Sequence, residues 1–101
     1  MVERGESSVP PVRSAATLVA TAGHGLLLFG GEFFDGETNE CFNDLFRFSP
    51  AKQEWRLIES PGTPPPRCSH QACVYRDALY VLGGEFATSA QFYHYADFWR
   101  L

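Results

Sequence analysis

Apolar residues along this chain cluster in short runs separated by turn-forming residues, and this pattern predicts β-strands. The predicted strands lie at residues 15–20, 26–29, 44–48 and 55–58 in the first half, and at 69–75, 79–82 and 97–101 in the second. No segment has the apolar spacing of an amphipathic helix. The runs at 26–29 and 79–82 are continuously apolar, so we expect both faces of these strands to be buried. The chain is therefore predicted to be all-β.

The two halves of the chain repeat one another. The matching pairs are GGEF at 30–33 and 83–86, NDLFR at 43–47 and ADFWR at 96–100, and Arg13 and Arg67. Self-similarity at one interval is the signature of a repeat architecture. Each element is therefore expected to have the same structural role in both halves, with the paired glycines ending a strand where backbones approach closely.

The sequence pattern predicts two successive units, each of which forms an antiparallel sheet. The first unit, residues 13–66, has four strands and ends in the proline-rich connector ESPGTPPP at 59–66, which no strand interior would accept. The second unit, residues 67–101, has three strands. Residues 1–12 are predicted to be a flexible N-terminal tail. A sheet that buries both faces needs a neighbour on each side, and a series of such sheets is typical of β-propeller blades.

The repeated residues resemble the kelch repeat. The matching positions are Arg13, 26–31, 43–46 and Trp55 in the first unit, and Arg67, His70, 79–84 and 97–99 in the second. The resemblance implies kelch-type β-propeller blades, two in number with the second incomplete. Closed kelch propellers contain several more blades, so we expect the chain to be a fragment of a larger propeller. The resemblance also implies a scaffold or adaptor that binds proteins, including adaptors that present substrates to ubiquitin ligases.

Composition narrows the possible partners. Apolar residues make up 45% of the chain and aromatic residues 15%, which favours a packed core over disorder. The net charge is −4 and the arginines are scattered, so we expect no nucleic-acid partner. No apolar run approaches the roughly 20 residues that span a bilayer, and we expect no membrane partner. The lack of an apolar leader and the odd number of cysteines favour a cytoplasmic or nuclear location.

The sequence gives only weak signals for a metal site, a disulfide or a catalytic site. Cys68, His70 and Cys73 suggest a zinc site, but side chains alternate along a strand, so Cys73 should point away from the other two. A disulfide between the two cysteines is disfavoured for the same reason. Glu32 and Glu85 occupy equivalent places in separate units, which argues against a catalytic carboxylate pair. We therefore expect no cofactor, no metal and no enzymatic activity, and Arg13 and Arg67 are expected to bond carboxylates or the backbone of the blades.

Antiparallel geometry predicts a rim for partner binding. If successive strands reverse direction, the segments 32–43, 59–66 and 85–96 lie at the same end of the sheets. The predicted partner-binding residues are Phe33, Phe34, Glu85, Phe86, Phe92, Tyr93, His94 and Tyr95. Aromatic residues edged by acidic ones suit a protein partner, and a basic one in particular. The run 92–95 fits a recognition surface or an anchor for its own loop equally well.

Two other functions remain open from the sequence. One is an enzyme or a metal-assisted catalyst that uses a propeller face, although no full ligand set is present. The other is a truncated product without independent function. Two blades would leave apolar faces and a strand edge uncovered, which predicts self-association.

Overall fold

In the computed structural model the chain is all-β, and the described residues contain no helix. The structure describes residues 2–3, 9–23, 25–59, 62–76, 78–88 and 92–101, with the backbone alone for residues 2, 3 and 93. His24, which lies between the first two predicted strands, is outside the described residues. No helix able to cross a membrane is found in the part of the chain that is described.

Twelve strands make up the described fold. In chain order they are β1 Val2–Glu3, β2 Thr17–Thr21, β3 Gly25–Phe29, β4 Glu32–Phe34, β5 Asn39–Cys41, β6 Leu45–Ser49, β7 Glu54–Glu59, β8 Gln71–Tyr75, β9 Ala78–Leu82, β10 Glu85–Ala87, β11 Phe92–His94 and β12 Phe98–Arg100. Every pairing between them is antiparallel.

Two larger sheets and two hairpins are formed from these strands. The first sheet has the order β1-β7-β6-β3-β2, and the second has the order β12-β9-β8. Strands β4 and β5 pair as one hairpin, and β10 and β11 pair as another. Each hairpin emerges between two neighbouring strands of its sheet. The described residues form strands and no helix, so the all-β prediction is confirmed.

The structure differs from the sequence prediction at two segments. No strand was predicted within residues 32–43 and 85–96, but these segments contain the two hairpins. In the first, the Asp35 carboxylate accepts hydrogen bonds from the backbone N–H groups of Glu37 and Thr38, at 2.9 and 2.8 Å. This turn closes the hairpin. Residues 2–3, inside the predicted tail, pair with β7 along its outer edge.

The hydrophobic core lies between the two sheets. The first sheet contributes Leu27, Phe29, Leu45 and Ile58, and the second contributes Leu79 and Val81. Phe29 and Val81 are completely buried. Removing such side chains from water contributes about 2 kcal/mol each. This shared core holds the two units together.

Only one face of each sheet is covered in this way. Leu26 and Leu28 of β3 are half-buried, and Leu82 of β9 is 48% exposed. The expectation that both faces of these strands are buried is therefore wrong for the described structure. Side chains alternate across a strand, and those that point towards the other sheet are the most deeply packed. Phe46 of β6 points the other way and is buried beside Arg13.

Strands β2 and β8, each at an edge of its sheet, lie next to each other. Thr17 Oγ1 and His70 Nε2 are 2.8 Å apart, and the Ser69 N–H donates to the Ala15 carbonyl at 2.9 Å. The His70 ring also packs edge-on against Phe29, with ring centroids 5.4 Å apart. His70 is therefore part of the contact between the sheets.

We expect Gly84→Ala to destabilise the fold by about 3 kcal/mol, from backbone strain and overpacking together. Gly84 has φ +98°, and a Cβ atom there would lie 2.8 Å from His70 Cβ and 2.9 Å from the Cys68 carbonyl oxygen. The matched control is Gly36→Ala, because Gly36 has φ +103° and open space around it. The control should show the strain alone, about 1 kcal/mol. Urea unfolding of both variants measures the difference, and equal losses would contradict the packing argument.

Candidate protein-interaction site

Arg67 is a fully buried cation at the start of the second unit. Its guanidinium binds the Asp97 carboxylate through two parallel hydrogen bonds, Nη1 to Oδ1 at 2.5 Å and Nη2 to Oδ2 at 2.9 Å. Nη1 also donates to the Gly83 carbonyl at 2.8 Å, and Nε donates to the Pro65 carbonyl at 3.2 Å. We call Arg67, Asp97 and the Gly83 carbonyl the second arginine clamp. It joins the end of β9 to the residue before β12, and so closes the base of the β10–β11 hairpin.

An aromatic ring packs on this clamp, and the clamp lowers the pKa of the Asp97 carboxyl group. The Arg67 guanidinium carbon lies 4.0 Å from the centre of the Tyr95 ring. The hydrogen bonds from Arg67, together with one from the Trp99 indole N–H that lies 2.7 Å from Oδ2, lower the pKa of Asp97 to about 2. Asp97 therefore stays ionised throughout the physiological pH range.

The first unit contains the same arrangement. Arg13 forms a bidentate pair with Asp44, and its Nη1 donates to the Gly30 carbonyl at 3.0 Å. The guanidinium lies 4.2 Å from the centre of the Phe42 ring. We call this the first arginine clamp. The two clamps bear out the expectation that both arginines bond carboxylates and blade backbone.

The backbone of Arg67 joins the two units. Its N–H donates to the Phe42 carbonyl at 3.0 Å, and its carbonyl accepts from the Gly31 N–H at 2.8 Å. One residue therefore closes the second hairpin with its side chain and holds the first unit with its backbone. This contact places the two hairpins next to each other.

The neighbouring strands of the hairpins, β5 and β10, are joined through side chains. Asn39 Nδ2 donates to the Ala87 carbonyl at 2.6 Å and to Glu32 Oε1 at 3.0 Å. Cys41 Sγ lies 3.5 Å from both the carbonyl oxygen and the amide nitrogen of Ala87. Sequence reasoning missed Asn39 and Cys41, because their partner is a backbone group that no side-chain pattern reveals.

The connector between the units lies at the same end of the sheets. Asn43 Nδ2 donates to the Pro64 carbonyl at 3.3 Å, and the Tyr95 hydroxyl donates to the Pro66 carbonyl at 3.1 Å. The two hairpins and this connector form one surface, which we call the rim. Its existence follows the strand directions expected from the sequence.

Part of the predicted partner-binding set is exposed on the rim. Phe33, Phe34 and Phe92 are 41%, 62% and 60% exposed. The His94 ring lies perpendicular to that of Phe92 at 5.1 Å, and its Nδ1 is 3.8 Å from Glu85 Oε2. These residues give the rim large apolar contact area next to polar groups.

The other predicted residues have different surroundings. Phe86 is half-buried. Tyr95 is also half-buried, and its contacts with Arg67 and Pro66 give it a supporting role. The side chain of Tyr93 lies outside the described part of the structure. For Tyr95, these contacts favour the loop anchor over the recognition surface.

The rim is strongly acidic. The hairpin segments 32–41 and 85–94 contain five carboxylates and no Lys or Arg. Hydrogen bonds from the backbone of Thr38 and Glu37 lower the pKa of Asp35, so this exposed carboxylate remains charged in mildly acidic solution. The nearest arginines, Arg13 and Arg67, are already paired within the clamps. The rim therefore presents a negative field to solvent.

The two cysteines proposed as zinc ligands have different surroundings. Cys68 is completely buried, and burial together with nearby Glu32 raises the pKa of its thiol. Cys73 is exposed. Among the described residues, no group of three metal-ligating side chains converges on one point. The zinc interpretation receives no support from this geometry.

Comparison with known proteins identifies relatives of the sequence. A family model described as the KLHDC2/KLHL20/DRC7 Kelch-repeats domain matches residues 3–101. Acyl-CoA-binding domain-containing protein 6 of Oryza sativa subsp. japonica is 35% identical over 82 residues, covering 78% of this chain and 12% of that protein. Rho GTPase-activating protein gacHH of Dictyostelium discoideum is 31% identical over 87 residues, covering 81% of this chain and 6% of that protein.

A third relative carries the repeat in its name. Kelch domain-containing protein 3 of Homo sapiens is 35% identical over 60 residues, covering 58% of this chain and 15% of that protein. The chain therefore spans only a small part of the length of each of these relatives. The likeness concerns the repeated unit and does not extend to the remainder of those proteins.

We expect Arg67→Lys to destabilise the protein by about 3 kcal/mol, because the Asp97 carboxylate and two backbone carbonyls lose their planar partner at a fully buried position. The matched control is Arg100→Lys, at an exposed position of β12, which should change stability by less than about 0.5 kcal/mol. Urea unfolding monitored by circular dichroism compares the two variants. A loss no larger than that of the control would show that the second arginine clamp is not structurally important.

The stability of the protein should also fall between about pH 6.5 and pH 4 because of His70. Burial, and then the charge of Arg67, lowers the pKa of His70 from 6.5 to about 4, and Nδ1 has no hydrogen-bond partner among the described residues. In this window the unfolded chain binds a proton that the folded chain excludes, so stability is present above pH 6.5 and is lost as pH falls. The loss is on the order of 3 kcal/mol at most.

The measurement is the urea midpoint of the wild type and of His70→Gln across this pH range. The other acidic groups titrate in both proteins, so the difference between the two profiles isolates His70. The wild type should lose more stability than the variant. Parallel profiles would disprove the role of His70 in this pH dependence.

Proposed function

This chain belongs to the kelch-repeat family, and we propose that it is a non-enzymatic interaction module that presents its rim to a protein partner. Kelch repeats generally form interaction surfaces without catalytic activity, so the family supports this class of function. The observation that carries the proposal is the exposure of Phe34 and Phe92 on hairpins whose bases are held by the arginine clamps.

The character of the rim indicates what kind of partner it would bind. Aromatic side chains provide most of the binding energy in protein interfaces, because they bury a large area at small entropic cost. The five carboxylates around them favour a partner segment rich in Lys and Arg. Phe33, Phe34 and Phe92 would supply the apolar contacts, and His94 with Glu85 would supply polar ones.

The support beneath the rim matters for affinity. A loop that is already held in its bound conformation loses little entropy when a partner binds. Tyr95 contributes here from below, since its ring and hydroxyl both contact the structure at the base of the hairpin. We therefore assign Tyr95 to positioning the β10–β11 hairpin, and the exposed rim residues to contact with the partner.

The biological role proposed from the family is that of an adaptor or scaffold. One version is a substrate adaptor, which binds a protein through the rim while another part of a longer protein recruits an enzyme. The stretches GGEF, PPPRCSHQA and GGEFATSAQFYHYADFW also resemble kelch domain-containing protein 4, and we propose a relationship to it. We place the protein in the cytoplasm or the nucleus.

We expect the double substitution Phe34→Ala and Phe92→Ala to reduce partner binding at least about tenfold, because it removes two exposed anchors. Immobilised wild type and variant are exposed to the same cell lysate, and quantitative mass spectrometry identifies the proteins that only the wild type retains. Circular dichroism should be unchanged, since both side chains are exposed. The matched control is Tyr75→Ala, which removes an aromatic side chain that is 59% exposed on β8, outside the rim.

A second pair of variants tests the charge preference. Glu37→Lys and Glu40→Lys should weaken the same interactions, and added salt should weaken wild-type binding. Retention of an identical set of proteins by the wild type and the double alanine variant would refute binding through the rim. Loss of the same set from the Tyr75→Ala control would also refute it.

A further inference from the structure

Cys41 and Cys68 lie on the two sides of the boundary between the units. Cys41 ends β5 in the first unit, and Cys68 directly follows Arg67 in the second. The Arg67 N–H donates to the carbonyl of Phe42, the residue after Cys41, at 3.0 Å. Each cysteine is therefore next in sequence to a residue of a hydrogen bond that joins the units, and the backbone holds the two positions close together.

Both sulfur atoms lie against the backbone of β10. Cys41 Sγ is 3.5 Å from the carbonyl oxygen of Ala87, and Cys68 Sγ is 3.6 Å from the carbonyl oxygen of Glu85. In a strand, the backbone groups of residues two apart point to the same side. The two thiols therefore lie along the same edge of β10.

The side chains of Glu32 and Cys41 are close to the Cys68 sulfur. Burial first, and then Glu32 and Cys41, raise the pKa of the Cys68 thiol. Glu32 is paired with Cys41 across the first hairpin, and its carboxylate accepts a hydrogen bond from Asn39 at 3.0 Å. The hairpin therefore holds Cys41 beside Cys68, in a small site that both units build.

The two cysteines differ in their access to solvent. Cys41 is partly exposed, whereas Cys68 is completely buried. A small oxidant in solution can therefore reach Cys41 directly. An accessible cysteine with a second cysteine beside it is typical of sites that oxidation converts into a disulfide.

We propose that Cys41 and Cys68 form a reversible disulfide when the protein is exposed to a peroxide, so that the boundary between the units is a site of oxidative modification. The bond joins β5 to the residue that pairs with Glu85 at the start of β10. It links the neighbouring edges of the two hairpins. This chemistry does not depend on which partner the rim binds.

The reaction has two steps. The Cys41 sulfur attacks one oxygen of hydrogen peroxide, the O–O bond breaks, and a sulfenic acid and one water are formed. The Cys68 sulfur then attacks the Cys41 sulfur, and the S–O bond breaks. The Cys68 proton leaves with the hydroxyl group as a second water. The two sulfurs together lose two electrons, which reduce the peroxide, and a dithiol reverses the change by exchange.

The surroundings of Cys68 determine the order of these steps. Its raised pKa keeps the thiol protonated, and its burial keeps peroxide away, so Cys68 is a poor target for direct oxidation. It reacts only after Cys41 has been oxidised beside it. The disulfide then restricts the unfolded chain between β5 and the second unit, which should stabilise the folded protein.

The test uses the full chain with Cys73→Ser, because the exposed Cys73 could link two molecules. The protein is treated with a small molar excess of hydrogen peroxide, and the remaining thiols are blocked after unfolding. Mass spectrometry of unreduced peptides then locates the linkage. We expect Cys41 to be joined to Cys68 within one chain, and dithiothreitol to remove the link. The urea midpoint of the oxidised protein should be higher than that of the reduced protein.

Two further variants, both carrying Cys73→Ser, separate the steps. Cys41→Ser should lose the rise in the urea midpoint. Cys68→Ala should stop at the sulfenic acid on Cys41, which dimedone labels, whereas this labelling should be lost when Cys68 is present. If Cys68→Ala fails to fold, the result with Cys41→Ser decides.

The proposal is overturned if both thiols remain free after treatment, or if Cys41 is oxidised to a sulfinic acid while Cys68 is present. Links between molecules alone, or an equal rise in the urea midpoint of Cys41→Ser, would also overturn it.

Discussion

The structure depends on two buried arginine side chains, each paired with a partly exposed aspartate. A buried guanidinium is costly unless its donors are satisfied. Arg67 meets this requirement with a bidentate carboxylate and two backbone carbonyls, and a tyrosine ring lies against its flat face. A lysine in its place has neither the planar fork nor the number of donors needed. Because the same arrangement surrounds Arg13, each unit closes the base of its hairpin in the same way.

This closure separates the molecule into parts with different roles. Below the clamps, apolar side chains from the two sheets form the shared core. Above them, the hairpins leave Phe34 and Phe92 exposed among carboxylates. Arg67 connects the two parts, since its side chain holds one hairpin while its backbone holds the neighbouring unit. The position of the rim is therefore determined by the same residue that joins the units.

The strands and the repeat could be predicted from the sequence because apolar runs and paired glycines recur at one interval. The partners of the arginines were harder to identify. Asp44 and Asp97 lie 31 and 30 residues beyond Arg13 and Arg67, and no local sequence pattern pairs an arginine with a carboxylate at that separation. The similar spacing in both units was the signal that could have revealed them, since a pair that recurs at matching positions points to a contact.

Other features of the site left weaker signals in the sequence, and they could not be predicted from it. Strands β4 and β10 have three residues each, which is too short for an alternating pattern to emerge. Asn39 binds a backbone carbonyl of the other hairpin, and a sequence does not show which backbone groups will be near. The aromatic run 92–95 was ambiguous for a physical reason: Phe92 faces solvent, whereas Tyr95 packs against Arg67.

The most direct test of the central role of the clamps is the ¹⁵N NMR spectrum of the arginine side chains. The clamps predict that Arg13 and Arg67 show separate guanidinium N–H signals, slow rotation of the group and slow exchange with water. Arg76 and Arg100, which are exposed, provide internal controls with rapid averaging. If the guanidinium groups of Arg13 and Arg67 average and exchange as quickly as those two, the clamps do not hold the hairpins and their central role is contradicted.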